Sequence, residues 1–548
     1  VLLTIEETVS ILQSCPQSGV VASMLEGRKA VDGNSVRFET TEFNIRTVCE
    51  TVPHITVKDN RTRFAPVISG TAPAPEFVME PRTFQLENFD KFKDLPAFAI
   101  FSDPGTGKTK VVIDILCYRF KLNQISGALV LSSPKGVHAQ WIEGQLPLHI
   151  WPSVPHIAAF WDNKEPAWFD RPKVDGQLEI FSGNIDMLSH KRPFEVLRKF
   201  VIRHRARIMI IVDESDSIKN HNAKRSVAVR KLAFEFGVIH RAIMTGTPIA
   251  KDLTDEWAQF LFLNPKIIGH KYKTTFQSQF CKMGGFQNKV VVGHKNVEQF
   301  KRITAPYIFR ATKDELDLPP KVYDQIVFDL SDKQKELQKS LRERFLAEID
   351  KNKNISVTHV ATMILRLHQV ACGFAAIGDR DNTGKTEYVD LPNPRLDVLM
   401  DLREKIHGKR VIWCRFNYDV ETVAAEIGDA AVTIYGKDAD KDRAISKARF
   451  LNDESVTDLV ASAATAGKGM DGLQAVCNNA IYYSNSYNSI ERWQSEDRIH
   501  RIGMIKTATY FDLVARGSVD KAILANLKKK KDLSTLVLDD MKNIIKDI

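Results

Sequence analysis

From about residue 82 the chain alternates short apolar runs with longer stretches of helical periodicity. Ala97–Phe101, Ala128–Leu131, Ile208–Val212 and Ala242–Met244 each end in a polar, Gly-rich or Pro-rich turn. Runs that are apolar at successive positions predict strands buried on both faces, hence a parallel sheet whose C-terminal edge carries the functional turns. A second series follows: Ile326–Leu330, Arg410–Trp413, Val432–Tyr435, Asp458–Ser462 and Ala480–Tyr483. Residues 266–325 are less regular and basic, with breaks at Gly284-Gly285 and Leu318-Pro319-Pro320. Before the first series, Thr4 and Glu7 have capping-box spacing and predict a helix start, and alternation over 35–40 predicts a strand. The stretch Ala65–Pro81 is rich in Pro, Ala and Gly and reads as a linker. The expected organisation is an α/β chain: a small α+β accessory domain at 1–64, a linker at 65–81, a first lobe at 82–309, a passage at 310–325 and a second lobe at 326–548.

Composition changes this picture little. The 548 residues are too many for one hydrophobic core. At 43% hydrophobic and 26% charged they are ordinary for a globular protein. No apolar run approaches the ~18 residues of a membrane span, and the start has no signal-peptide pattern. The seven cysteines stand singly, with no C-x-x-C pair. That spacing points away from zinc and disulfides and towards a reducing compartment, cytoplasmic, nucleoid or nuclear. A net charge of +9 is compatible with a phosphate-backbone partner. Lys528–Lys531 reads as a solvated helix end.

Four motifs carry chemistry. Ser102-Asp103-Pro104-Gly105-Thr106-Gly107-Lys108-Thr109 follows a strand-like run and precedes the helical stretch Val111–Phe120. Glycines let backbone N–H groups turn towards phosphate oxygens, and the helix N-terminus favours the anion. Gly105, Thr106, Gly107, Lys108 and Thr109 thus form a candidate ATP phosphate loop, with Thr109 a ligand for Mg²⁺. The strict pattern begins with Gly, and Ser102 stands there instead. Asp213-Glu214, ending an apolar run, supplies a second Mg²⁺ ligand (Asp213) and a residue to orient the attacking water (Glu214). Thr245-Gly246-Thr247-Pro248 occupies the place of a γ-phosphate sensor. Far downstream, Gln494–Gly503 places Arg498 and Arg501 three apart, on one face if helical. Arginines so distant in sequence reach the phosphates only if a second lobe closes over the first. The bland alternative is a helix whose Glu496 and Asp497 pair with those arginines.

In this order the motifs resemble superfamily 2 helicases, and more closely the SWI/SNF-type DNA translocases, over roughly residues 80–540. The resemblance implies two tandem RecA-like parallel-sheet lobes. Pro81–Leu86 is similar to the adenine-reading segment, which implies Gln85 on the base. Ser133-Pro134-Lys135 with Gln140-Trp141, and Lys219-Asn220 after the acidic box, resemble track-contacting motifs. Arg310, Lys313 and Leu318–Lys321 resemble the passage between lobes. Leu365–Gln369 and Trp413–Phe416 resemble the next helix and strand motifs. Thr465–Asp471 resembles the motif that touches both track and nucleotide, and Gln494–Gly503 the arginine-finger motif. Asp216 stands where the family usually carries His, and Met504 where it usually carries Gln.

The implied activity is an ATP- and Mg²⁺-dependent translocase on double-stranded DNA that remodels DNA or displaces bound protein. The catalytic set is Lys108, Glu214, Gln494, Arg498 and Arg501, and the nucleic-acid contacts are Lys135, Lys219, Asn220 and Lys468. Two alternatives stay open: a strand-separating DNA or RNA helicase, and an ATP-gated partner of a polymerase or other DNA-bound machine. Other DNA-bound proteins are possible partners; a membrane is not expected. Trp141, Trp257 and Trp493 read as packing residues rather than base-stacking platforms.

Overall fold

The computed structural model describes 73–133, 137–204, 207–246, 253–284, 290–351, 357–377, 387–466 and 470–528, and the backbone of five N-terminal strands. Those strands are β1 (Leu2–Ile5), β2 (Val9–Gln13), β3 (Lys29–Asp32), β4 (Ser35–Glu39) and β5 (Thr56–Asp59), in one sheet of order β3-β4-β2-β1-β5. The strand expected over 35–40 is present as β4. The helix start expected at Thr4 is overturned. Thr4 pairs with Ile11 on one side and Lys58 on the other, and two ladders outweigh a local capping pattern.

The first lobe is built on a seven-stranded, all-parallel sheet of order β14-β6-β11-β10-β7-β9-β8. Its strands are β6 (Ala97–Ile100), β7 (Gly127–Ser132), β8 (His156–Phe160), β9 (Leu178–Asn184), β10 (Ile208–Asp213), β11 (His240–Met244) and β14 (Ile308–Phe309). Between them in sequence, a two-stranded antiparallel ladder pairs β12 (Cys281–Gly284) with β13 (Val290–His294). This gives order to part of the segment expected to be irregular. Alternate residues of each central strand enter different cores. Leu129, Leu131, Ile210 and Val212 pack on the side of helices 191–204 and 253–263. Ala128, Val130, Met209 and Ile211 pack on the side of helix Lys108–Lys121. Both faces are covered, so both parities are apolar.

The second lobe repeats the design with a six-stranded parallel sheet of order β15-β22-β21-β18-β20-β19. Its strands are β15 (Lys321–Phe328), β18 (Lys409–Cys414), β19 (Ala431–Ile434), β20 (Asp458–Ser462), β21 (Cys477–Tyr482) and β22 (Ala508–Ala515). A separate antiparallel pair joins β16 (Phe374–Ile377) to β17 (Glu387–Asp390). Val411 and Trp413 face one core, Ile412 and Cys414 the other. β15 begins at Lys321, so the end of the segment read as a passage is sheet. The strand read at Ile326–Leu330 is thus the end of a longer one, whose first half hid because its side chains are mostly exposed at the sheet edge. β22 was also missed: Ala508–Ala515 mixes Thr, Tyr and Asp among its apolar residues.

A buried cation closes the second lobe. Arg395 is fully buried; it donates to the carbonyls of Ala371 (3.1 Å), Tyr483 (2.6 Å) and Leu513 (3.0 Å) and to the Asp520 carboxylate. Asp520 also accepts from the Ala515 amide at 2.9 Å. Removing one partner of such a pair leaves a buried charge uncompensated. Asp520→Ala is expected to destabilise this lobe by about 3–5 kcal/mol, read as a lower urea midpoint with an unchanged slope.

Candidate nucleotide site between the two lobes

Strand register assembles the first half of the site. Ile100 pairs with Met244, and Met244 with Asp213, across β6, β11 and β10. Because the strands are parallel, their C-terminal turns share one edge. The phosphate loop after β6, the acidic pair ending β10 and the turn after β11 therefore become neighbours. Gly246 lies so close that a Cβ there would come within 2.7 Å of Pro104 Cδ. Thr247 and Pro248 lie outside the described residues.

The loop needs its glycines. Gly105 and Gly107 have φ of 81° and 83°, in the left-handed region that side chains disfavour. Helix Lys108–Lys121 starts immediately after, so Lys108 and Thr109 sit at its N-terminus. Lys108 Nζ donates to the carbonyls of Ser102 (2.8 Å) and Asp103 (3.2 Å). Burial lowers the pKa of this ammonium, while Glu214 and Asp213 work to raise it. Ser102 has a clear use: its buried Oγ accepts from the Ala311 amide at 2.9 Å. A glycine could not make that bond. Gln85 is buried against the loop, donating to the Thr106 carbonyl at 3.0 Å and accepting from the Arg82 amide at 3.1 Å. Thr106 is buried too and donates to the Asp103 carbonyl at 2.8 Å.

The acidic pair joins a buried carboxylate, Asp213, to a half-buried residue of strained backbone, Glu214. Glu214 has φ of 51°, uncommon for a residue with a side chain and typical of functional turns. Its amide donates to Asp213 Oδ1 at 2.9 Å. Asp213 Oδ2 accepts from the Trp141 indole N–H at 3.0 Å. Burial and the adjacent Glu214 charge raise the Asp213 carboxyl above its usual pKa, and the Trp141 bond works against that rise.

The other half of the cleft comes from the second lobe. The helix carrying the distal motif ends at Glu496. Arg498 and Arg501 lie in the turns beyond it, so the expected single helical face is not how they meet. Nor do they pair with Glu496 or Asp497. Both form ion pairs with Asp471, Arg498 at 3.4 Å. Their charges outweigh burial and hold the Asp471 carboxyl below its ordinary pKa. Glu496 pairs with Lys321 and Arg492, and Asp497 with Lys313. Arg501 stands over the phosphate loop: a Cβ on Gly105 would meet Arg501 Cβ at 3.0 Å.

The resulting cleft opens to solvent and, counting that open space, spans about 850 Å³; it is lined by Lys108, Thr109, Asp213, Glu214, Arg498 and Arg501 among others. Gln494 does not line it; that side chain is buried in helix Ser489–Glu496, and its carbonyl accepts from Arg498 Nε at 3.3 Å. Lys219 and Asn220 lie after the acidic box, outside the cleft lining. Lys135 and Lys468 lie outside the described residues. Sequence reading passed over Asp471 and Trp141 as site residues. Both were quoted within motifs, Asp471 at the end of Thr465–Asp471 and Trp141 in Gln140-Trp141, but pairing partners so distant in sequence left no local signal.

The donor set suits a magnesium nucleotide. Mg²⁺ takes one or two carboxylates with substrate phosphates and water rather than an all-protein cage, and Asp213 with Thr109 offers that. Gly107 is the sharpest test of the loop. A Cβ there would lie 2.4 Å from Gln85 Nε2 on a backbone of positive φ. Gly107→Ala is expected to weaken ATP binding about tenfold or more, measured by calorimetric titration.

Comparison with known proteins agrees in family. A probable ATP-dependent DNA helicase, CHR12, of Arabidopsis thaliana is 25% identical over 84% of this chain and 42% of its own length. An uncharacterized ATP-dependent helicase of Mycoplasma genitalium is 24% identical over 65% of this chain and 33% of its own. The chain thus spans between about a third and two fifths of these relatives. Among solved structures, the Sulfolobus solfataricus SWI2/SNF2 ATPase core in complex with dsDNA aligns with 87% of this chain and 97% of its own, at 22% identity and a TM-score of 0.37. The family model of the SNF2-related domain matches residues 95–374, just over half of the sequence, and the chain belongs to that family.

Proposed function

We propose that this chain hydrolyses ATP in the cleft between its lobes and uses the cycle to move along double-stranded DNA, remodelling it or displacing bound protein. The observation that carries the reading is the placement of Arg501, from the second lobe, over Gly105 of the phosphate loop. Such an arginine completes a hydrolytic site when the lobes are together and is withdrawn when they part, which couples chemistry to motion. Duplex DNA as the track is supported by family membership and by relatives named as DNA helicases.

The residues divide the work. Lys108 exchanges its two loop carbonyls for phosphate oxygens. Thr109 and Asp213 would hold Mg²⁺, which when bound would neutralise charge on the phosphoryl group. Glu214, fixed by its strained backbone, orients the attacking water. Arg498 and Arg501 leave Asp471 for the transition-state charge, a contribution of about 10³–10⁵ in rate in comparable enzymes. Track contacts by Lys219 and Asn220, and by Lys135 and Lys468, would be to phosphates, independent of sequence and weakened by salt.

The test is the ATPase rate with duplex DNA, single-stranded DNA, duplex RNA or no nucleic acid. Strong stimulation by duplex DNA is expected; absence of any stimulation overturns the reading and favours ATP-gated docking. Displacement of a triplex strand without fork unwinding then separates translocation from strand separation. Two variants follow. Glu214→Gln is expected to keep ATP binding while abolishing turnover. Arg501→Ala is expected to lower kcat by about 10³ or more with little change in ATP affinity; equal loss of both would contradict its role.

A further inference from the structure

Trp141 is fully buried, yet its one polar atom is not spent on packing. The indole N–H meets Asp213 Oδ2 at 3.0 Å. Trp141 also opens an unusual element. The helical segment over 137–149 is α-helical at Val137–Gln140 and Leu146–His149 but π-helical at Trp141–Gln145. A π-turn adds a residue to the turn and re-aims the side chains around it, and such turns are frequent at functional sites. Here the result is two opposed reaches. Trp141 points into the first lobe at the carboxylate. Gln140 and Gln145 reach across the cleft, each donating from its side-chain amide to Asp471 Oδ2, Gln145 at 3.3 Å. Asp471 is the carboxylate that holds Arg498 and Arg501.

We infer that Trp141 is a positioning residue for the metal-holding carboxylate Asp213, and that the π-helical turn carrying it ties that carboxylate to the second lobe through Gln140, Gln145 and Asp471. This rests on the nucleotide-site reading above. An indole N–H on one oxygen, with the Glu214 amide on the other, fixes the carboxylate plane and leaves its remaining lone pairs for Mg²⁺. Partners of this kind behind a metal ligand tune its affinity for the ion. The tie to Asp471 makes the placement of that carboxylate sensitive to where the second lobe stands.

The experiment measures the Mg²⁺ concentration that half-saturates binding of a fluorescent, non-hydrolysable ATP analogue to the full chain. Trp141→Phe removes the N–H and keeps an aromatic ring. Trp151→Phe is its control: that residue is also fully buried in the first lobe and donates its indole N–H to an aspartate, Asp114, at 2.8 Å. Trp141→Phe is expected to raise the Mg²⁺ requirement about tenfold, with affinity in chelator unchanged and with Trp151→Phe near wild type. Equal behaviour of the two variants would overturn the positioning role. The double variant Gln140→Ala/Gln145→Ala leaves the core intact and decides the matter if Trp141→Phe does not fold. It is expected to raise the Mg²⁺ requirement at least about threefold; no change would overturn the tie to the second lobe. If the wild-type chain shows no Mg²⁺-dependent binding of the analogue, the nucleotide-site reading itself fails, a separate outcome from either.

Discussion

The cleft between the lobes gathers cations, and buried cations need partners. Leaving them buried and alone would cost far more than the fold can supply. Lys108 rests on loop carbonyls, Arg498 and Arg501 on Asp471, and Lys313 on Asp497. These partners belong to the phosphate loop or line the cleft. In the proposed nucleotide site, a phosphate would replace these carbonyl and carboxylate contacts with its own oxygens, and little of its binding energy would go into desolvating isolated charges.

The same arrangement ties the lobes together. Strand β14 pairs with β6, and the chain beyond it runs along the phosphate loop. The Asp103 amide donates to the Ala311 carbonyl at 2.9 Å, and the Lys313 amide to Asp103 Oδ2 at 3.1 Å. Lys313 Nζ then reaches Asp497 and the His500 carbonyl beside the two arginines. His500 Nε2 donates back to the Pro319 carbonyl at 2.8 Å. The passage between lobes is thus a strut from the phosphate loop to the arginine turns. Ser102 in place of Gly belongs to that strut, since its hydroxyl receives the Ala311 amide.

Packing and function share residues throughout. Trp257 behaves as expected of a core residue, buried with its N–H on the His270 carbonyl at 2.7 Å. Trp141 is equally buried but serves the site. Ser215 in the acidic box donates to Gln259 of helix Leu253–Leu263 at 2.6 Å, so the strained turn at Glu214 is braced from the opposite core. That helix holds Glu256, whose carboxyl burial pushes up to about 7 despite the Arg310 guanidinium at 3.5 Å.

Much of the catalytic half-site was legible in the residues alone. Parallel strands buried on both faces need apolar residues at both parities, which marks β6, β7, β10, β11 and β20 without any partner. A phosphate loop needs Gly, Lys and Thr at close spacing, and its chemistry is local. The first half of edge strand β15 and the mixed strand β22 lack that apolar signature, and the N-terminal strand β1 carries a capping pattern that its ladders override. What tertiary structure alone decided is pairing across sequence distance. Local spacing placed Arg498 and Arg501 on a helix beside Glu496 and Asp497. The fold ends that helix early, gives those acids to Lys321, Arg492 and Lys313, and brings Asp471 to the arginines and Trp141 to Asp213. Charge and hydrogen-bonding capacity belong to the sequence, but which groups meet depends on strand order and lobe placement, and no local spacing encodes those.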